Sequence, residues 1–176
     1  MFAFDEGRFG VKTWCRRRWC PRGSRPPWVV AEQYRWVWVY VAVEPTRGTC
    51  HVLLLPHVNG DWLQLYLQSL REVTGEDDLA VVMDNAPSHK NRAIVWPVGI
   101  TPVYLPPYSP ELNPAEQVFR MLRQWLANRI FATEDDLQTA LITALHTFWD
   151  DPHVVIRLTH YPWWQPFSPS ILSLSS

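Results

Sequence analysis

A carboxylate follows directly after an apolar run in the stretch VVMDNAPSHK, residues 81–90. Residues 79–83 are apolar and typical of a buried strand, so Asp84 would project from the end of the hydrophobic core. A buried charge is costly unless a partner compensates it, and at the end of a strand that partner is often a metal ion or a catalytic neighbour. The rest of the sequence should therefore supply that partner.

Two other carboxylates occupy distinctive places. Asp5 follows the apolar residues 2–4, and Glu116 falls in the first turn of a helix predicted after the fifth strand. If the first and fourth strands are neighbours in the sheet, Asp5 and Asp84 converge. Carboxylate oxygens suit Mg²⁺ or Mn²⁺, and two such ions can activate an attacking oxygen and stabilise a leaving one in phosphodiester cleavage. The pattern therefore predicts a divalent-metal site with two ions.

Each of these carboxylates also has a simpler interpretation. Glu116 lies three residues after Asn113, as in a capping box, and shares a helix face with Arg120 and Arg123, as in a surface ion pair. Glu111 is a rival for the third metal ligand.

The two aspartates and their neighbours leave further alternatives open. Asp5 alone would suit a turn, and Asp84 alone would suit an Asx turn before a helix. Glu6 suits a supporting or solvent-exposed position better than a ligand position. Asn85 and His89 can line the site, but a lone histidine near the end of a strand is usually structural, so these three residues stay outside the predicted ligand set.

The spacing of apolar residues predicts the elements that would position these side chains. The first three strands are expected to form an antiparallel meander, and Pro102 favours an edge position for the fifth. The five predicted strands are residues 2–4, 36–43, 50–55, 79–83 and 100–105.

Three helices are predicted from apolar residues at helical spacing. The first precedes Gly75, the second begins at Pro114 behind the cap residue Asn113, and the third begins at Thr133. Their predicted buried stripes are Leu63, Tyr66, Leu67, Leu70 and Val73; Val118, Leu122, Trp125, Leu126 and Arg129; and Leu137, Leu141, Leu145 and Phe148.

The composition is that of one globular domain. The chain has 176 residues, of which 47% are hydrophobic and 19% charged, and this excludes a disordered chain. The longest apolar run, residues 36–43, is too short to cross a bilayer, and charged residues interrupt the first twenty positions, so we expect a cytoplasmic protein. Cys15, Cys20 and Cys50 are expected to be free thiols; a zinc site that also uses His51 is a weak alternative.

A basic stretch, WCRRRWCPRGSRPPW, stands out against a net charge of −1. Its guanidinium groups would contact DNA phosphates, while its tryptophans could stack on bases. A solvated hairpin with core tryptophans is nearly as good an interpretation. The predicted DNA contacts are Arg16, Arg17, Arg18, Arg22 and Arg25, together with Arg120 and Arg123 in the second helix.

Three blocks of the sequence together resemble a known family. FDEGRFG, MDNAPSHK and YLPPYSPELNPAEQVF are similar to the signature blocks of DDE transposases of mariner-like bacterial insertion sequences, and the resemblance covers roughly residues 2–150. It implies a ribonuclease H-like α/β fold, a five-stranded mixed sheet with flanking helices. By the same resemblance, Asp5, Asp84 and Glu116 are the catalytic triad.

The resemblance also implies an activity and partners. Such enzymes bind divalent metal, nick DNA at transposon ends and join the freed 3′-hydroxyl to target DNA. The implied partners are transposon-end and target DNA, with a homodimer in the active complex. The catalytic domain is expected to span residues 1–160, followed by a disordered tail over 161–176.

The chain differs from the family's usual pattern at its start. Members usually carry a helix-turn-helix region before the first catalytic aspartate, whereas this chain begins four residues before Asp5. We therefore expect a fragment, one half of a split reading frame or a degraded copy. A related nuclease without strand transfer and a non-catalytic DNA-binding remnant are the alternative functions.

Overall fold

A computed structural model describes residues 1–12, 21–23, 34–75, 78–90 and 93–164. The described elements are strands β1 (Phe2–Gly10), β2 (Trp36–Glu44), β3 (Thr49–Leu55), β4 (Leu79–Met83) and β5 (Ile100–Tyr104), helices α1 (Gly60–Thr74), α2 (Ala115–Leu126), α3 (Glu134–Asp150) and α4 (Pro152–Thr159), and a 3₁₀ turn at Pro110–Leu112.

The five strands form one mixed sheet in the order β3-β2-β1-β4-β5. Strands β1, β2 and β3 pair antiparallel, whereas β4 pairs parallel with both β1 and β5. The predicted meander and the edge position of the strand that contains Pro102 are therefore confirmed. The first and fourth strands are neighbours, which meets the condition for Asp5 and Asp84 to converge. Helix α1 provides the crossover from β3 to β4, which a parallel arrangement requires.

Strand β1 is longer than the sequence pattern predicts. It continues to Gly10, so Asp5 lies inside the strand and not after it. The residues that follow Phe4 are mostly polar, so the sequence pattern does not indicate a strand there. Nevertheless, β1 pairs with β2 over eight residues, from Ala3 to Gly10. The prediction that Asp5 follows the first strand is therefore wrong, because backbone pairing extends the strand where apolar alternation does not.

Two hydrophobic layers cover the sheet. On one face, α1 packs against the even-numbered residues of β1, including Phe2 and Phe4. On the other face, α2, α3 and α4 pack against odd-numbered residues, including Ala3 and Phe9. Because side chains alternate along a strand, Asp5 faces α2 and Glu6 faces the opposite layer.

The predicted helical stripes are largely confirmed. In each helix the predicted leucines are buried, and Thr133 forms a capping box with Asp136 at the start of α3. Two predicted stripe residues are wrong. Val73 is 64% exposed on the last turn of α1, and Arg129 lies beyond the end of α2 and is exposed.

The chain after α3 is more ordered than the sequence indicates. Helix α4 was not predicted, because its eight residues are too few to show a sustained period. Beyond it, Tyr161 packs against the core and Trp164 is buried, so the expected tail cannot begin at residue 161. Residues 165–176 lie outside the described part of the chain. None of the described helices is both long and apolar enough to cross a membrane.

Gly7 allows α2 to approach β1 closely. A Cβ atom at this position would lie 2.7 Å from two ring atoms of Phe119, a residue of α2 that is almost fully buried. Gly7 lies on the same face of β1 as Asp5, two residues further along the strand. Its lack of a side chain therefore sets how closely the helix that carries Glu116 approaches the strand that carries Asp5.

We predict that Gly7→Ala lowers the free energy of unfolding by about 1–3 kcal/mol, because the added methyl group overpacks the contact with Phe119. Urea unfolding would measure the change. Gly10→Ala is a matched control on the same strand, since its Cβ would meet only ordinary contacts, the nearest 3.5 Å away. Equal losses in the two variants would contradict the prediction.

Candidate active site

Asp5 and Asp84 come from neighbouring parallel strands and share a face of the sheet. In the register of β1 and β4, Ala3 lies opposite Val82, and the same offset carried two residues further brings Asp5 beside Asp84. Both Ala3 and Val82 belong to the layer that faces α2. Strand alternation therefore points Asp5 towards that helix, and Asp84 directly follows the carboxyl end of β4, where both carboxylates line one cleft.

Asn113 joins the third carboxylate to these strands. Its side chain is buried, donates a hydrogen bond from Nδ2 to the carbonyl of Phe4 at 2.9 Å, and accepts one at Oδ1 from the backbone N–H of Ala115 at 3.1 Å. One amide thus connects the residue before Asp5 with the first turn of α2. Glu116 lies in that turn, so this amide links the start of its helix to the strand that carries Asp5.

The geometry speaks against one of the two simpler interpretations of Glu116 and is consistent with the other. The backbone N–H of Asn113, which a capping box would assign to Glu116, donates instead to the carbonyl of Pro110 at 2.9 Å. Glu116 does approach Arg123, with Oε2 3.7 Å from a guanidinium nitrogen, as the ion-pair interpretation expects. Glu111 is exposed in the 3₁₀ turn and is not among the residues that line the cleft.

The three predicted carboxylates line one cleft of about 470 Å³. The loop between β5 and α2 forms its other wall, and Tyr108 in that loop is fully exposed with a left-handed backbone angle, φ 58°. Asn85 also lines the cleft, as predicted, and donates a hydrogen bond to the carbonyl of Leu105. The cleft therefore brings together side chains from β1, β4 and α2.

A second cleft, of about 530 Å³, lies at the amino ends of β1 and β4. It contains Glu44 and Asp78, but Glu44 is paired with the N-terminal ammonium group and with Arg47, at 3.8 Å each. Although this cleft is slightly larger, it lies at the opposite end of the sheet from the converging carboxylates. We therefore place the candidate active site at the carboxyl end.

Burial and the neighbouring carboxylates raise the pKa of Asp5. Burial, together with the negative charges of Glu116, Glu6 and Asp84, raises the pKa of Asp5 to about 8, although the backbone N–H of Glu6 donates to its Oδ1 at 2.8 Å. Without a cation, Asp5 would therefore hold a proton at neutral pH. A carboxyl group so placed is typical of a site that a metal ion completes.

A buried histidine, His89, contacts the carboxylates of both Asp84 and Glu6. The Nδ1 atom of His89 lies 2.7 Å from Oδ1 of Asp84, and its Nε2 lies 2.9 Å from both carboxylate oxygens of Glu6. Burial alone would lower the imidazole pKa, but the hydrogen bond to Glu6 and the charges of Glu6 and Asp84 outweigh burial and raise the pKa to about 9. The Asx turn predicted as an alternative also forms, since Oδ1 accepts from the N–H of Ala86.

The donor set fits a divalent metal ion, although the carboxylates do not form a finished cage. Within the described ranges, no group of three or more His, Cys, Asp or Glu side chains is arranged to hold a metal ion as it stands. Mg²⁺ is usually bound by one or two carboxylates, with water and substrate phosphates completing its coordination, so a preformed three-ligand cage is not required. The oxygen donors suit such an ion, whose positive charge would offset the repulsion between the carboxylates and favour loss of the Asp5 proton.

The predicted DNA contacts are only partly within the described structure. Arg16, Arg17, Arg18 and Arg25 lie outside the described residues, whereas Arg22 and Arg120 are exposed. Arg123 is partly exposed and lies over the rings of Phe9 and Phe119, 5.8 and 5.6 Å from their centroids. The zinc alternative is not supported for Cys50, which is a buried free thiol on the α2 side, whereas His51 packs against Tyr66 of α1.

Solved structures contain the same arrangement of sheet and helices. The Mos1 strand transfer complex matches with a TM-score of 0.68 and 20% identity, over 90% of this chain and 50% of that chain. The Mos1 mariner paired end complex with Mn matches with a TM-score of 0.60 and 20% identity, over 90% and 53%. This chain therefore has the predicted ribonuclease H-like fold, and it spans about half the length of the Mos1 chains.

The sequence then identifies the family. Residues 1–138 match the DDE superfamily endonucleases. Uncharacterized protein y4pE/y4sA of Sinorhizobium fredii (strain NBRC 101917 / NGR234) is 33% identical over 130 residues, which are 73% of this chain and 96% of that protein. The chain belongs to the DDE superfamily endonucleases, and the family predicted from the three sequence blocks is confirmed.

The raised pKa of Asp5 predicts a pH-dependent stability in the metal-free protein. Folded Asp5 keeps its proton up to about pH 8, whereas the unfolded chain loses it near the ordinary value of 3.8. Between these values the unfolded state binds fewer protons, so the free energy of unfolding falls as pH rises, by at most about 1.4 kcal/mol per pH unit from this group. Asp5→Asn should flatten that decline below pH 8.

Urea unfolding in EDTA, repeated between pH 5 and pH 9, would measure this difference. Asp135→Asn removes an exposed carboxylate from the first turn of α3 and serves as the control, which should decline like the wild type. A decline of unchanged slope in Asp5→Asn would contradict the prediction.

Proposed function

We propose that this chain is the catalytic domain of a DNA transposase, which cleaves DNA strands and transfers them to a target in a metal-dependent reaction. The observation that carries the proposal is the convergence of Asp5, Asp84 and Glu116 on one cleft, from β1, β4 and α2. Membership of the DDE superfamily endonucleases and the fold shared with the Mos1 strand transfer complex support it.

In this proposal the three carboxylates hold two Mg²⁺ or Mn²⁺ ions. When bound, the ions would activate the attacking oxygen and stabilise the leaving oxygen of a phosphodiester. Asp84 and Glu116 have side chains that are 55% and 39% exposed, so they can reach an ion in the cleft. Asp5 lies deeper, and it would release its proton as a cation offsets the charges of its neighbours.

DNA is the proposed substrate and partner. The helix face that carries Glu116 continues through Arg120 and Arg123, which would place cations beside a phosphate backbone bound at the cleft. The basic stretch with Arg16, Arg17, Arg18, Arg22 and Arg25 would supply further phosphate contacts, although all of these except Arg22 lie outside the described residues. If two transposon ends are processed together, each needs its own set of carboxylates, and we therefore propose a homodimer as the active form.

The proposed ligands can be tested by their effect on metal-dependent stability and on DNA nicking. A ligand that binds only the folded state stabilises it by about 2.7 kcal/mol at 100 times its Kd. We expect Mn²⁺ and Mg²⁺ to raise the melting temperature of the wild type, and Asp84→Asn and Glu116→Gln to abolish that rise. The same variants and Asp5→Asn should lose metal-dependent nicking of supercoiled plasmid.

Glu111→Gln is the matched control for Glu116→Gln, because it makes the same chemical change five residues earlier, at an exposed position outside the cleft lining. It should keep both the metal-dependent rise in melting temperature and the nicking activity. Loss of both in Glu111→Gln, with both retained in Glu116→Gln, would show that the third ligand is assigned wrongly.

The proposed DNA surface predicts a change in salt dependence. Each lost phosphate contact should flatten the slope of log affinity against log salt by about 0.9 on duplex DNA. We expect Arg120→Ala to do so, as measured by fluorescence anisotropy at several salt concentrations. Arg47→Ala removes another exposed charge, at the opposite end of the sheet, and should leave the slope unchanged. Equal slopes in the Arg120→Ala variant and the wild type would exclude Arg120 from the interface.

A further inference from the structure

Two polar side chains, those of Glu6 and His89, are buried next to the proposed metal ligand Asp84 and have no role in the proposed reaction. Glu6 lies next to Asp5 in β1 but points to the opposite face of the sheet, and His89 lies in the loop that follows β4. Their side chains are 7% and 1% exposed. Neither belongs to the described residues that line the carboxylate cleft.

The imidazole of His89 connects Glu6 with Asp84 through its two nitrogens. Nε2 lies 2.9 Å from the Glu6 carboxylate, and Nδ1 lies 2.7 Å from Oδ1 of Asp84. A carboxylate only accepts hydrogen bonds, so both ring nitrogens donate. The result is a continuous chain of charge-assisted hydrogen bonds from the buried face of β1 to the end of β4.

The loop also fixes the orientation of this imidazole. The backbone N–H of His89 donates to the carbonyl of Ala86 at 3.0 Å, and its carbonyl accepts from the hydroxyl of Tyr104 at 3.0 Å. The ring of Phe4 packs edge-on against the imidazole, with centroids 5.7 Å apart. His89 therefore cannot turn away from Asp84 without breaking contacts on several sides.

Asp84 needs such support more than an ordinary strand residue does. Its side chain is 55% exposed at the point where β4 gives way to a loop, so little packing restrains its rotamer. The donors from His89 and from the N–H of Ala86 both bind Oδ1. Both donors restrain Oδ1, so Oδ2 is the oxygen that would be available to an incoming cation.

We infer that Glu6 and His89 are positioning residues, which hold the Asp84 carboxylate in the orientation that binds the metal ion. This inference rests on the proposed function, because it takes Asp84 to be a metal ligand. Residues that support metal ligands in this way typically contribute 10–100-fold to metal affinity. A purely structural pair would contribute to folding stability and leave metal affinity unchanged.

The test measures Mn²⁺ binding to the full chain from the loss of the free-ion electron paramagnetic resonance signal. We expect Glu6→Gln and His89→Ala to weaken Mn²⁺ affinity about 10–100-fold. His89→Asn should recover most of the affinity, because its amide nitrogen lies near the position of Nδ1 and can still donate to Asp84. His89→Gln, whose amide nitrogen lies near the position of Nε2, should not recover it.

A control separates positioning from folding. His51 is a partly buried histidine on β3. Its Nε2 lies 3.2 Å from the hydroxyl of Ser69, and it is not among the residues that line the cleft. His51→Ala should lower stability in urea without changing Mn²⁺ affinity. If His89→Ala fails to fold, the test uses the Mn²⁺ affinity of Glu6→Gln and the difference in Mn²⁺ affinity between His89→Asn and His89→Gln.

Asp84→Asn distinguishes failure of this inference from failure of the proposed function. If Asp84→Asn loses Mn²⁺ binding while Glu6→Gln and His89→Gln bind like the wild type, the positioning role is overturned and the metal ligand stands. If Asp84→Asn itself binds Mn²⁺ like the wild type, the proposed ligand is wrong, and the positioning role is overturned with it.

Discussion

The parallel pairing of β1 with β4 is the constraint on which the site depends. It places two carboxylates from distant parts of the chain beside each other on one face of the sheet. Burial raises the pKa of Asp5, and the negative charges of Glu116, Glu6 and Asp84 raise it further. The rest of the fold holds like charges together that would separate in water, and this is the usual situation of a site that works with a cation.

The third carboxylate is brought in by packing and by one amide. Gly7 lets α2 lie close to β1, and Asn113 connects the start of that helix to the carbonyl of Phe4. Neither residue carries chemistry. Both determine where Glu116 lies relative to Asp5, so the distance between the proposed ligands depends on a missing side chain and on a buried hydrogen bond.

The sequence predicts most of the fold because its strongest signals are local. Strand β4 is a continuous apolar run, and helix α3 has apolar residues at helical spacing, so the positions of both were predicted closely. The extension of β1 through Asp5 was missed, since it depends on pairing with β2 and not on its own residue pattern. The contact of Glu6 with His89 joins residues 83 positions apart, and no local signal indicates it.

The alternation of β1 also makes the register of the sheet a requirement for the proposed site. Adjacent acidic residues project to opposite faces, one towards the cleft and one towards His89. A slip of one residue that moved Glu6 into the place of Asp5 would also move Gly7 into the place of Glu6, so the cleft would receive a longer carboxylate and His89 would lose its carboxylate partner in β1. Eight paired residues along β2 oppose such a slip, so an insertion or deletion within the paired segments of β1 and β2 should be more damaging than most single substitutions.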